Sequence, residues 1–140
     1  MPVDKALSYM ALARKAGRIE LGEEPAGAAA QAGKASLLVV AGDASDHTWR
    51  RAQSFVSGTD QSCIRVAFTK DQMGQAMGRT SLALAAFTDM ALAVAFVKAL
   101  DGDYADVLQM LQDKQAKLQK APKNTGFRRK KQGRSRPAAK

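Results

Sequence analysis

The run Ser36-Leu37-Leu38-Val39-Val40-Ala41 carries no charge and no alternation of polar with apolar residues. A strand with one face in water alternates with a period of two, so an unbroken apolar run marks a central strand covered on both faces. The rest of the chain has to supply the two covers.

The flanking pattern does so with helices. Val3, Leu7, Met10 and Arg14 recur at helical spacing with Tyr9, Leu12 and Ala16 on the flank, and Gly17 stands where a left-handed cap ends a helix. Residues 18–21 read as a short strand ended by Gly22. Pro25 then fits the first position of an alanine-rich helix that runs to Gly33, since a missing N–H costs nothing there. After the central run, Ser45 or Asp46 caps a helix in which Trp49, Ala52, Phe55 and Val56 share a face opposite Arg50 and Arg51, and Gly58 ends it. Residues 63–68 read as a strand, and Thr69 and Gln72 have capping-box spacing for a short helix carrying Met73, Ala76 and Met77 that stops at Gly78. A last strand over 81–87 precedes an apolar helix over 89–100. Strands alternating with helices at this spacing predict crossover connections and an α/β fold, a three-layer α/β/α sandwich over residues 1–102.

Residues 103–121 form a further helix in which Tyr104, Val107, Leu108, Leu111 and Leu118 make a narrow apolar stripe on a polar rod. That stripe either packs on the domain or meets a partner. Residues 122–140 hold Lys123, Arg128, Arg129, Lys130, Lys131, Arg134, Arg136 and Lys140 and no acid, which leaves 14 of the 22 bases against all 13 acids in the first 121 residues. The net charge of +9 is therefore a property of the tail. Its composition buries too little apolar surface to order itself, so the sequence predicts a disordered basic tail that follows phosphates. Phe127, beside Arg128, is placed to stack on a base.

Catalysis finds little support. Ser45, Asp46 and His47 are the residue types of a hydrolase triad, but sequence neighbours point in different directions and cannot form the relay. Cys63 falls inside a strand, where a buried thiol is inert. Neither a phosphate-cradling Gly-x-x-x-x-Gly-Lys motif nor Gly-x-Gly-x-x-Gly is present, Glu23 with Glu24 and Asp101 with Asp103 make no acid/base dyad, and no metal cluster or cofactor is expected. The single Cys63 and the absence of a signal-like start at Met1 predict a cytoplasmic protein, and the apolar run 90–97, bracketed by Asp89 and Lys98, is too short to span a membrane.

Several blocks in register carry a resemblance: Leu12-Ala13-Arg14-Lys15-Ala16-Gly17-Arg18, Gly22-Glu23-Glu24, Gly33-Lys34-Ala35, Val39-Val40-Ala41-Gly42-Asp43-Ala44-Ser45 and Met73-Gly74-Gln75-Ala76-Met77-Gly78-Arg79. In order and spacing they resemble the kink-turn-binding ribosomal-protein family, the L-seven-Ae type, and within it the small bacterial YlxQ-like branch. The likeness covers residues 5–100 and leaves out the last helix and the tail. It implies a sandwich that grips kinked RNA with residues 22–28 and 77–81. Family members place Gly-x-Asn-Glu-x-x-Lys at the first of these. Here Gly22 is kept, while Glu24 stands at the Asn position, Pro25 at the Glu position and Ala28 at the Lys position. Two glutamates at a helix start need no further reason than the helix dipole, although a carboxylate can also accept from guanine N–H groups.

The reading is of a non-catalytic protein that binds structured RNA, ribosomal or other non-coding. Arg14, Lys15, Arg18, Gly22, Glu23, Glu24, Lys34, Lys70, Gly78, Arg79 and Thr80 form the expected RNA face, and the tail bases make phosphate contacts. The alternative is a protein-interaction module that has lost its RNA site and docks a translation or transcription factor on the 104–120 helix.

Overall fold

The apolar run becomes strand β2, Leu37–Val40, all four residues of which have no exposed surface. The structure is a computed structural model and describes residues 4–100 and 102–120, with side chains to residue 117. β1 (Ile19–Leu21), β2, β3 (Cys63–Arg65) and β4 (Leu84–Phe87) form one sheet in the order β1-β4-β2-β3. β2 and β3 run parallel, whereas β4 is antiparallel to both β1 and β2. Ile19 faces Phe87, and Leu37 faces the same Phe87 on the other side. β4, the last strand in the chain, thus lies in the middle of the sheet and is as completely buried as β2.

Helices cover both faces. α2 (Glu23–Gln31) and α3 (Asp46–Val56) pack on each other, on one side, while α1 (Lys5–Lys15) packs on α5 (Met90–Ala99) and on α4 (Lys70–Ala76) on the other. α6 (Ala105–Lys120) lies against α5 and extends that second layer toward β3. The three layers expected from the sequence are present, and the sheet is mixed rather than uniformly parallel.

Local chemistry explains the boundaries. Asp4, Ser45, Thr69 and Asp89 each accept a hydrogen bond from a first-turn N–H of α1, α3, α4 and α5, and Thr69 with Gln72 completes a capping box. Pro25 stands at the third position of α2, not the first. The first helical bond runs from Ala26 N–H to Gly22 O, so a missing donor is equally harmless at residue 25. β3 stops at Arg65, three residues short of the predicted end, because the chain there turns toward Gly42, whose N–H donates to Phe68 O. A Cβ at Gly42 would lie 2.5 Å from the Val66 carbonyl oxygen, which makes glycine necessary. β4 begins at Leu84 rather than 81, after a loop that Leu82 N–H ties to Lys70 O.

The core is built mainly from Ala, Val, Leu and Met, with Phe87 against Phe96 at 5.1 Å between ring centres. Of the expected α3 face only Ala52 is buried, Trp49, Phe55 and Val56 being half-buried on the flank, and Leu12 of α1 is 51% exposed. α2 is small-faced for a reason: a Cβ at Gly27 would lie 2.7 Å from Cζ of Phe55, so the two helices touch where the glycine is. Val3 and the tail from residue 122 fall outside the described residues, as does the side chain of Leu118.

Leu111 of α6 has no exposed surface, and Tyr104, Val107 and Leu108 are half-buried against the core. The Tyr104 hydroxyl donates to Arg65 O at 3.1 Å, and the Ser62 hydroxyl donates to Met110 Sδ at 3.4 Å, so α6 is fastened along the β3 edge. Leu111→Ala is expected to destabilise the whole domain by about 2–5 kcal/mol, read as a lowered urea midpoint in a single transition. A midpoint equal to wild type would mean that α6 is not part of the core.

Candidate nucleic-acid interface

β1 and β4 place two turns side by side. Gly22, which leaves β1 with φ 99°, donates its N–H to Leu84 O at 2.9 Å, and Leu84 opens β4 directly after the 77–83 loop. Gly22 then caps α2 with no side-chain bond, so no capping side chain takes up the first N–H groups of that helix. A Cβ at Gly22 would lie 3.8 Å from Nη1 of Arg79, and one at Gly78 (φ 71°) would lie 3.0 Å from Nη1 of Arg14. The guanidinium of each arginine therefore rests on a glycine, and both glycines have backbone conformations that other residues seldom adopt.

The 77–81 loop is held from beneath. Arg79 N–H donates to Gly74 O at 2.7 Å, and Lys70 N–H donates to the Asp43 carboxylate at 2.8 Å. Asp43 thus ties α4 to the end of β2, a link between distant residues that no local pattern announces.

Of the residues expected on the RNA face, Gly22, Gly78, Arg79, Thr80 and Arg14 meet at this end of the sheet. Lys70 opens α4 beside the loop, and Lys15 lines the groove between α1 and α4 with Gln75 and Ala76. Glu24 is exposed at the second position of α2. Glu23 is turned the other way, its carboxylate paired with Nε of Arg51 on α3. With 48% and 40% of the two side chains exposed, the pair contributes at most about 1 kcal/mol, yet it neutralises Glu23 and orients it toward α3. Arg51 also lies over the Phe55 ring, 5.2 Å from its centre.

Two residues stand elsewhere. Lys34 follows the C-terminal end of α2, at the opposite end of that nine-residue helix from Gly22. Arg18 precedes β1 and accepts from Thr88 N–H, at the end of the strand away from the Gly22 turn. The tail bases, Lys123 to Arg136, lie outside the described residues.

The acidic groups near this face are Glu24, Asp43, which is occupied by Lys70 N–H, and the exposed Asp71. Among the described residues no three His, Cys, Asp or Glu side chains gather as a metal site, and no helix is long and apolar enough to cross a membrane. Cys63 is half-buried, and burial pushes its thiol above the ordinary value, away from reactivity. Ser45 is spent on capping Thr48 N–H, and His47 is exposed on α3.

No family model and no curated protein matches the chain. Solved structures do. A protein of unknown function from Bacillus halodurans aligns with a TM-score of 0.64 at 23% identity, over 71% of this chain and 99% of its own. A 15.5 kD RNA binding protein from Giardia lamblia aligns with a TM-score of 0.57 at 17% identity, over 76% and 87%. The chain shares the fold of both.

A Cβ at Gly74 would lie 2.7 Å from Ser81 N and 2.8 Å from Ser81 Cα, backbone that cannot yield without moving the loop. Gly74→Ala is expected to cost about 1–3 kcal/mol in urea unfolding and to shift the amide resonances of residues 79–81. Unchanged stability and unchanged resonances would show that the loop is not held by this contact.

Proposed function

We propose that this chain is a non-catalytic RNA-binding protein that recognises structured RNA by its shape, gripping it with the Gly22 turn and the 77–81 loop. The observation that carries the proposal is the placement of Arg79 against Gly22 and Arg14 against Gly78. Sequence blocks from opposite halves of the chain, each similar to kink-turn-binding ribosomal proteins, thereby form one basic surface. A guanidinium presents a planar fork of donors that matches phosphate oxygens, and two such forks, one at the Gly22 turn and one at Gly78, suit a backbone that bends sharply between them. The fold shared with the Giardia RNA binding protein supports the same reading.

The target class is structured ribosomal or other non-coding RNA, and the sequence pattern is nearest the YlxQ-like branch. Glu24 replaces an amide at the turn, and its free carboxylate accepts from guanine N–H groups while repelling phosphate. Pro25 and Ala28 supply no polar contact. The grip therefore depends more on Arg14 and Arg79 than on base reading at residues 24–28. The tail adds sequence-independent phosphate contacts. Docking of a translation or transcription factor through the 104–120 helix is less favoured, because α6 packs on α5 with Leu111 buried and Tyr104, Val107 and Leu108 half-buried against the core.

The test compares a kinked RNA duplex with an unkinked duplex of equal length. Wild type is expected to prefer the kink, and Arg14→Gln with Arg79→Gln to lose about tenfold or more on the kinked RNA, the weight of one or two charge-assisted hydrogen bonds. Removing residues 122–140 is expected to weaken both RNAs alike and to lower the log-log salt slope by roughly 0.7–0.9 for each phosphate the tail had neutralised. Equal affinity for both RNAs, lost entirely with the tail, would refute shape recognition by the sandwich.

A further inference from the structure

The opposite end of the sheet carries a second basic feature. α2 ends there, and the chain turns through Gly33 (φ 72°) and Lys34 into β2. α6 descends toward the same place. Its start is fixed by Tyr104 at the far end of β3, its middle by Met110 beside Ser62, and one to two turns later Lys114 and Lys117 arrive opposite the Lys34 turn. Lys34, Lys114 and Lys117 line an open concavity of about 410 Å³ with Met90, Gln61 and a single carboxylate, Asp60.

The concavity has a fixed frame. The Gln61 side chain accepts from Ala35 N–H at 3.0 Å and donates to Ala30 O at 2.9 Å, stapling the end of α2 and the following turn to the segment that leads into β3. The three lysines come from two elements whose relative positions are set by buried contacts, not from one solvated helix face.

We infer that this concavity is a second phosphate-binding surface that receives the backbone of an RNA arm leaving the Gly22 face. The inference rests on the RNA-binding reading of that face. Lysines are point charges without the arginine fork, and a shallow, open hollow with no buried donor suits a passing backbone better than an enclosed small anion. An arm that reaches it must pass at least the length of α2, whose nine residues between the Gly22 turn and the Lys34 turn measure about 14 Å. The two ends then divide the work: arginines hold the bend, and Lys34, Lys114 and Lys117 hold the arm.

The test uses the full chain and two RNAs with the same kink, one with arms too short to pass the Gly22 face and one with an arm lengthened well beyond the roughly 14 Å of α2. Lys34→Gln, Lys114→Gln and Lys117→Gln together are expected to leave the short RNA and the urea midpoint unchanged. On the long RNA the same variant is expected to lose about tenfold in affinity and to lower the salt slope by roughly two to three. Unchanged affinity and slope on the long RNA would overturn the inference, as would an equal loss on both RNAs. Arg14→Gln with Arg79→Gln, measured in parallel, separates the two readings. If that variant binds both RNAs like wild type while the lysine variant loses the long one, the lysine surface stands and the Gly22 grip falls.

Discussion

Gly22 N–H bonded to Leu84 O fixes the end of β1 against the start of β4, and the position of every residue on the candidate face follows from it. β4 enters between β1 and β2 antiparallel to both, so the loop that leads into it must arrive at the end where β1 leaves the sheet. Arg79 is thereby delivered to Gly22. The same loop is pinned to α4 by the close approach at Gly74, and α4 is pinned to the end of β2 by Asp43. The candidate face, assembled from loops, thus rests on rigid elements at each root, as the proposed reading of RNA shape requires.

The two glutamates at the start of α2 find different uses. Both suit the helix dipole. Glu23 is taken by Arg51 of α3, which helps dock two helices that already touch at Gly27 and Phe55. Only Glu24 stays open on the turn, so the negative charge at the Gly22 turn is smaller than the sequence suggests, while Arg79 lies against Gly22.

Much of the architecture was legible because it is written in local chemistry. The apolar run of β2, the glycines that end α1, α2, α3 and α4, and the Thr69–Gln72 box each dictate structure within a few residues. What escaped depends on long-range pairing. Nothing near residue 84 reveals that β4 inserts between β1 and β2, and strand lengths at Arg65 and Leu84 are set by where the chain must turn toward Gly42 and away from α4. Of the candidate site, Arg14, Gly22, Gly78 and Arg79 were identified by their pattern, and the fold brings them together. Lys34 and Arg18 belonged to the same pattern, but the geometry of α2 and β1 carries them to the other end. Arg51, Lys114 and Lys117 were missed, since their significance comes only from packing of α3 on α2 and of α6 on α5.

The proposed function requires that RNA sit on the Gly22 and Gly78 turns. Titration of a kinked RNA into the isotopically labelled full chain, followed by amide chemical shifts, tests it most directly. With RNA on those turns, the amides of Gly22, Glu23, Glu24, Gly78, Arg79 and Thr80 are expected to move at the lowest RNA ratios. Shifts confined to residues 104–140, with those turns undisturbed, would contradict it.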